Sequence, residues 1–476
     1  MWADALLLGG GLTLALLSHA LAVGRGAPLT GLLGGWLLSV AVLVPAGLAW
    51  LTAAGLYTPG RSHRNLTWVL RIAQGVGLGY LTAGVVTMGW LPAPVLLIGW
   101  LFTTALLAVD RLGPHAWASS PARRGSVRAR RIQNVLVIGG AGYIGSALLP
   151  KLLERGYRVR LLDLLLYGPE PVAGVLQHPN LQAIQADFRQ VDRVVEAMQG
   201  IDAVIHLGGI VGDPACALDE ELTLEVNLMA TRMIAEVAKG SGVSRFLFAS
   251  TCSVYGACDE LLSERSTLNP ISLYARSKIA SERVLLSMLE ETFHPTCLRF
   301  GTIYGLSGRT RFDLVVNLLT AKAVFEGEIT VHGGAQWRPF LHVDDAALAI
   351  LLTVEAPADR VAGEIFNVGS NEQNRTIEEV AHLVQTRVPE ARLIHRGSTD
   401  ARNYRVAFDK IRQTLGFVPR WTLEQGVAQV LEAIRRGDVV DYRESRYSNA
   451  AFLTQSRIPR TTGWAHELIR QDPDRP

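Results

Sequence analysis

Hydrophobic and polar positions follow two different rules along this chain. Before about residue 112 the apolar residues are nearly continuous. Ala5–Val23 and Gly26–Gly60 carry no formal charge. Ile72–Val109 is an uncharged run too long for one membrane span, since about 20 residues cross the hydrocarbon core. Pro92-Ala93-Pro94 offers a turn inside that run, which predicts four spans, with a re-entrant hairpin as the alternative for the short last one. Trp50, Trp68, Trp90 and Trp117 fall near the proposed ends, where interfacial tryptophans collect. Beyond residue 131 the pattern becomes periodic. An apolar strand runs to Ile138, Ser146–Glu154 has helical spacing, and strand-like runs follow at Tyr157–Leu162, Leu181–Ala186, Ala203–Leu207 and Phe246–Ala249 with helical patterns between them. Strands alternating with helices predict a parallel, doubly wound α/β sheet.

Charge sharpens the division. Residues 1–131 hold ten Arg and two acids, Asp4 and Asp110, whereas the remainder holds 36 basic and 41 acidic residues. A net-negative second part argues against nucleic acid as a partner. The arginines also orient the spans. Arg61, Arg64 and Arg71 lie in or beside the loop between spans two and three, and Arg123, Arg124, Arg128, Arg130 and Arg131 follow span four. The positive-inside rule places both termini in the cytoplasm and the second part on the cytoplasmic side of the cytoplasmic membrane. A rival reading makes the first span a signal peptide cleaved near Ala20-Leu21-Ala22, but Met1-Trp2-Ala3-Asp4 lacks the basic start that reading wants. The expected organisation is a helical transmembrane anchor over 1–112, a basic linker over 113–131 lying against lipid headgroups, a catalytic α/β part over 132–440 and a tail over 441–476. Cys216, Cys252, Cys258 and Cys297 show no metal-type spacing, so neither a metal site nor a disulfide framework is expected.

The first strand of the periodic part runs into Gly139-Gly140-Ala141-Gly142-Tyr143-Ile144-Gly145 and then a helix. Glycines at 139, 142 and 145 let a dinucleotide pyrophosphate rest on bare backbone N–H groups at a helix N-terminus, with Tyr143 and Ile144 in the same turn. Asp163 ends the second strand, 24 residues past Gly139. A carboxylate there accepts hydrogen bonds from the adenosine ribose and repels a 2′-phosphate, and no Arg follows closely, so NAD is favoured over NADP. This predicts a Rossmann-type sheet. Asp187, after the third strand, is placed to reach the adenine amino group or to be a loop-end aspartate.

Tyr274 and Lys278 stand at i and i+4 on one helical face. A Lys ammonium and a nicotinamide cation nearby would lower the Tyr pKa and make the phenol a general base near neutral pH. Ser250-Thr251-Cys252-Ser253 closes a strand 23 residues before Tyr274, so a hydroxyl there can share a substrate oxygen with it.

The ordered set GGAGYIG, HLGG (206–209), STCSVYG, YARSK, RFGTIYG (299–305) and RPFLHVDD (338–345) resembles the extended short-chain dehydrogenase/reductase family, and within it the NAD-dependent nucleotide-sugar epimerases and dehydratases. The resemblance covers about 132–440. It implies an NAD-binding core over about 132–300 and a smaller α/β substrate-binding part mainly over 301–440. It also implies that Gly139, Gly142, Tyr143, Ile144, Gly145, Asp163, Asp187, Leu207 and Asn227 hold the cofactor, together with Tyr274 and Lys278. Thr251 would bond the reacting sugar oxygen, Tyr274 would move the hydroxyl proton, and Arg338 would pair with the substrate diphosphate, with Arg402 and Arg309 as further diphosphate arginines. Helices of such enzymes often pair two copies, so a homodimer is an expectation carried by the resemblance alone.

Departures from the family pattern narrow the chemistry. The two residues after the threonine are acidic in 4,6-dehydratases, and the second is commonly Glu in decarboxylases. Here they are Cys252 and Ser253, and Cys252 is read as packing, because neighbours in an extended segment face opposite ways. Thr302 stands where the family often has Asn. The expectation is an epimerase acting on a nucleotide sugar or a polyprenyl-linked sugar through a transient keto intermediate, in cell-surface glycan synthesis. The alternative is an NAD(P)-dependent dehydrogenase or reductase of a nucleotide sugar or membrane lipid alcohol.

Overall fold

The computed structural model describes Leu8 and residues 10–15, 29–53, 66–86, 93–118, 132–398 and 400–456. Side chains of its first three long helices are described over 39–52, 72–86 and 94–107. The chain divides into two compact units, Met1–Ser126 and Val127–Pro476.

In the first unit, helices span Leu29–Ala53, Leu66–Val86 and Ala93–Ala118. The turn expected at Pro92-Ala93-Pro94 coincides with the start of the third, where Pro94 sits in the first turn and its missing N–H costs nothing. The second takes in Arg71, and the third continues through 113–118, where the sequence pattern predicts linker. Helical geometry satisfies the backbone of those residues internally, so a glycine or proline there ends nothing by itself. The helices meet through small residues. A Cβ on Gly79 would lie 2.9 Å from the Gly47 Cα, and one on Gly99 would lie 2.6 Å from the Tyr80 ring. Polar side chains join them as well: Tyr80 Oη and Thr103 Oγ1 are 2.8 Å apart, and Trp100 Nε1 donates to the Ala73 carbonyl at 2.9 Å. Large apolar groups face outward, with Leu81, Val85, Leu97 and Leu101 all more than half exposed. Among the described residues, no helix is long and apolar enough to cross a membrane. Most of the expected first span, linker residues 119–131 and tail residues 457–476 lie outside the described residues.

The described residues of the second unit contain fourteen strands: β1 Asn134–Ile138, β2 Arg158–Asp163, β3 Leu181–Gln185, β4 Ala203–His206, β5 Arg245–Thr251, β6 Ala257–Leu262, β7 His294–Phe300, β8 Thr302–Tyr304, β9 Glu328–His332, β10 Trp337–His342, β11 Ile365–Val368, β12 Asn374–Thr376, β13 Arg392–Arg396 and β14 Asn403–Val406. Seven form one parallel sheet in the order β11-β7-β5-β4-β1-β2-β3. Val135–Ile138 is fully buried, as a central parallel strand with both faces covered must be. The chain runs outward from β1 in both directions, to β2 on one side and β4 on the other, which opens a crevice at their carboxyl ends.

The boundary expected near residue 300 is not respected. β11 is the edge strand of the main sheet, and helix Val343–Glu355 packs on helix Tyr143–Glu154, with Lys151 Nζ 2.7 Å from Asp344 Oδ1. Four residues are too few for periodicity to assign β11 to one sheet or another. The remaining strands make β12-β10-β8 and the pairs β13-β9 and β14-β6. The tail, given no role from sequence, is folded as far as residue 456. A turn at Ser445–Tyr447 leads to helix Asn449–Gln455, and the Tyr447 ring lies 5.1 Å from that of Phe312.

One buried ion pair ties the strand ends to the helix carrying the YxxxK motif, Leu273–Ser287. Arg299 on β7 donates from Nη2 to Glu282 Oε2 at 2.7 Å and from Nε to Oε1 at 2.9 Å. Ser250 Oγ donates to the same carboxylate at 2.5 Å, and Arg299 Nη1 donates to Tyr255 Oη at 3.0 Å. Removing one member strands a buried charge. Arg299→Met is expected to cost about 3–5 kcal/mol in denaturant unfolding, whereas the double variant Arg299→Met/Glu282→Leu recovers much of that loss. Equal losses in both would contradict the account.

Candidate active site

The crevice is an open cleft at the carboxyl ends of β1, β2 and β4. At its floor, Gly139 adopts φ +76° and donates to the Leu162 carbonyl at 2.9 Å. A Cβ there would lie 2.5 Å from the Gly208 Cα, and one on Gly145 would lie 2.4 Å from the Gly140 Cα and carbonyl oxygen. Gly142 caps helix Tyr143–Glu154 with no side-chain partner, so the first N–H groups of that helix face the cleft unscreened. Tyr143 and Ile144 also line it, but the Tyr143 hydroxyl is spent on the Gly305 carbonyl at 2.6 Å. Asp163 accepts from the Ala141 and Leu165 N–H groups at 2.9 and 2.8 Å, and burial raises its pKa against the pull of those two bonds. An adenosine ribose fits beside this carboxylate, and the bare glycine backbone fits a pyrophosphate.

Asp187 and Leu207 line the cleft too. Asp187 is already held by Arg189, whose Nη2 lies 2.6 Å from Oδ2. Asn227 is not in the lining. It clamps the cleft wall from behind, accepting from the Ile210 N–H at 2.8 Å and donating to the Ile210 carbonyl at 2.9 Å, which makes it a positioning residue.

Thr251, Tyr274 and Lys278 come together on the other side of the cleft, as the spacing predicts. Thr251 ends β5 and caps the turn Cys252–Tyr255, accepting from the Ser253 N–H at 3.1 Å. Ser272 caps helix Leu273–Ser287 and so sets the facing of Tyr274 and Lys278. Lys278 Nζ donates to the Ala249 carbonyl at 2.8 Å and lies 5.9 Å from the Tyr274 ring centre. Burial lowers the Lys278 pKa to about 8. The expected lowering at Tyr274 is absent in the protein alone. Burial pushes its phenol above the ordinary value, Cys216 adds to the rise, and Arg311 and the Thr251 hydroxyl pull it back. Cys252 packs inward against the Arg299 carbonyl, with its thiol pushed up by burial, while Ser253 faces the cleft, 3.4 Å from Tyr404 Oη.

The arginines are distributed differently from the expectation. Arg338 is buried outside the cleft lining and is committed to the Trp337 and Arg402 carbonyls, Gln336 and Asp400. The structure does not bring it to the site, because β10 turns it under the loop carrying Arg402. Arg402, Arg309 and Arg311 line the cleft instead. Arg402 is paired with Asp400 at 2.6 Å and Asp213 at 3.3 Å. Burial opposes both charges of the Arg402–Asp400 pair, yet Arg402 holds Asp400 at about 2. Arg309 lies 3.9 Å over the Tyr167 ring, and its Nε and Nη2 find no hydrogen-bond partner among the described residues.

Sequence reasoning missed Arg311, Tyr404, Asn449 and Leu453 as lining residues. Tyr404 arrives from β14, far along the chain and just after the loop carrying Arg402, and no local pattern marks it. Tyr274→Phe, which removes only the hydroxyl, should lower turnover by about 10²–10⁴-fold while leaving cofactor binding and thermal stability near wild type. A loss under tenfold would remove the phenol from the proton path.

Residues 135–369 match the family described as "NAD dependent epimerase/dehydratase family". A Bacillus cytotoxicus protein named UDP-N-acetyl-alpha-D-glucosaminuronate decarboxylase is 29% identical over 63% of this chain and 97% of its own length. The UDP-glucose 4-epimerase of Mycolicibacterium smegmatis is 29% identical over 63% of this chain and 98% of its own. The solved structure of MoeE5 in complex with UDP-glucuronic acid and NAD is similar at a TM-score of 0.56 and 28% identity, covering 64% of this chain and 99% of that one. The glycine turn, Asp163 at the end of β2 and the Thr251, Tyr274 and Lys278 group agree with this likeness. Through residues 135–369, therefore, the chain belongs to the NAD-dependent epimerase/dehydratase family and is an enzyme that uses NAD.

Proposed function

We propose that this enzyme is a nucleotide-sugar epimerase attached to the cytoplasmic membrane, with its catalytic part on the cytoplasmic side, working in glycan synthesis. The observation that carries the reaction type is the acid content of the cleft. Its lining acids among the described residues are Asp163 and Asp187, the first bonded to the Ala141 and Leu165 backbone and the second to Arg189. Neither stands beside Tyr274 to protonate a departing hydroxyl, as water elimination requires. Asp213, whose charge also reaches Tyr274, is outside the lining and paired with Arg402, and the uncharged Thr251, Ser253, Tyr404 and Thr302 of the lining offer hydroxyls that can hold a sugar without expelling a group from it. Thr251 orients the sugar hydroxyl, Tyr274 takes its proton and returns it, and the Lys278 ammonium favours the phenolate while doing so. Bound NAD supplies the reversible two-electron oxidation of that carbon. Arg311 and Arg402 give the positive lining a substrate diphosphate needs, and MoeE5 is described with UDP-glucuronic acid.

The full-length protein, given UDP-glucuronic acid or UDP-glucose, should interconvert the sugar with its epimer while no NADH accumulates and no added NAD is needed. NADH rising one for one with product would replace this reading with the net oxidoreductase.

Membrane attachment rests on the uncharged runs before residue 112 and on the construction of the first unit, where glycines and hydroxyls meet between helices and large apolar side chains face out. Such an arrangement suits lipid better than water. Alkaline washing of membranes is expected to leave the full chain in the pellet, and its release into the supernatant would remove the anchor from the proposal.

A further inference from the structure

The C-terminal helix Asn449–Gln455 crosses the cleft at one place. Tyr167 lies in the loop after β2, and its hydroxyl donates to Asn449 Oδ1 at 3.2 Å. The other end of the same amide, Nδ2, donates to the Val211 carbonyl in the loop after β4 at 2.9 Å. β2 and β4 flank β1, so this single side chain bridges the two sides of the crevice above the glycine turn. The backbone N–H of Asn449 donates to Asp313 at 3.0 Å, and Asp313 is held by Arg311 at 2.9 Å. The Phe452 ring lies 4.5 Å from that of Tyr167, and Leu453 packs with Ile210, Cys216 and Tyr274. Asn449 and Leu453 are themselves part of the cleft lining.

A dinucleotide bound to a doubly wound sheet runs across the strand ends, from the ribose carboxylate after β2, over the helix N-terminus, to the far side of β1. Here that path leads from Asp163 past Gly142 toward Lys278, beneath the bridge made by Asn449. We infer that residues 445–455 are a strap closed over the bound cofactor, and that NAD leaves only when this strap lifts. The inference rests on the NAD site and not on the epimerase reading. Arg309 belongs to the same enclosure. It is nine-tenths buried, stacked on Tyr167 directly beneath the strap, and its backbone N–H donates to Ser146, the residue after Gly145, at 3.2 Å. Its Nε and Nη2, which have no hydrogen-bond partner among the described residues, belong to a side chain that lines the same cleft as Gly142 and Gly145, placed for a phosphate oxygen of the dinucleotide.

The test measures release of NAD from the full-length holoenzyme, with freed NAD converted to NADH by an added alcohol dehydrogenase and ethanol. Asn449→Ala and Phe452→Leu should each release NAD at least about tenfold faster than wild type, since each loses contacts made only with the strap closed. Rates within twofold of wild type, in variants that still unfold cooperatively, would overturn the strap. Hydrogen exchange of the unmodified chain checks it independently of any variant. NAD should slow exchange across 448–456 along with the glycine turn, and protection of the glycine turn alone would count against the strap. Arg309→Met should also release NAD faster. Unchanged release with a raised KM for the nucleotide sugar would assign that guanidinium to the substrate's diphosphate and remove it from the enclosure.

Discussion

The buried pairing of Glu282 with Arg299 is the contact on which the catalytic geometry hangs. The carboxylate belongs to the helix that carries Tyr274 and Lys278, and the guanidinium belongs to the strand beside β5. Ser250, immediately before Thr251, donates to the same carboxylate, and Tyr255, at the end of the following turn, accepts from the same guanidinium. One ion pair thus fixes the helix, both ends of the Thr251 turn and β7 against each other. A lone buried ion pair contributes little net stability. Its value here is positional, since shifting either partner moves the phenol relative to the threonine.

On the opposite wall, constraint comes from the absence of side chains. The turn from β1 into its helix passes so close to Gly208 and Gly140 that a methyl group at Gly139 or Gly145 would collide with backbone. Asn227 then pins the next loop by both backbone groups of Ile210. The wall with the glycine turn is held by close approach and backbone bonding, and the wall with Thr251 and Tyr274 by a charge pair. Between them lies a cleft whose polar groups near Tyr274 are mostly neutral hydroxyls.

Much of this was legible in the chain. The glycine turn, Asp163, Thr251 and the Tyr274–Lys278 pair act through spacing along one strand or helix, and spacing survives in sequence. Cys252 does face inward, but it lies in the turn Cys252–Tyr255 and not in the extended segment that the alternation argument assumes. What was not legible depends on where distant segments return. Arg338 looks like a substrate arginine in its local motif, but its surroundings come from the 400–402 loop, which consumes it. Tyr404 and Asn449 reach the cleft by long excursions without a local signature. The phenol's raised pKa was missed because spacing reports the neighbouring ammonium but not the burial that outweighs it.

The edge position of β11 bears on how the molecule is made. β11 pairs with β7 through Ile365–Val368, so the main sheet recruits a strand from well beyond the segment that supplies its other six. Until that strand leaves the ribosome, β7 presents an unpaired apolar edge open to another chain. The nascent protein therefore passes through an interval in which its nucleotide-binding half is nearly complete in sequence yet unsealed in structure. By then the apolar N-terminal helices have long been synthesised. Synthesis order thus leaves the exposed edge to be shielded late, by Ile365–Val368, far beyond β7 along the chain.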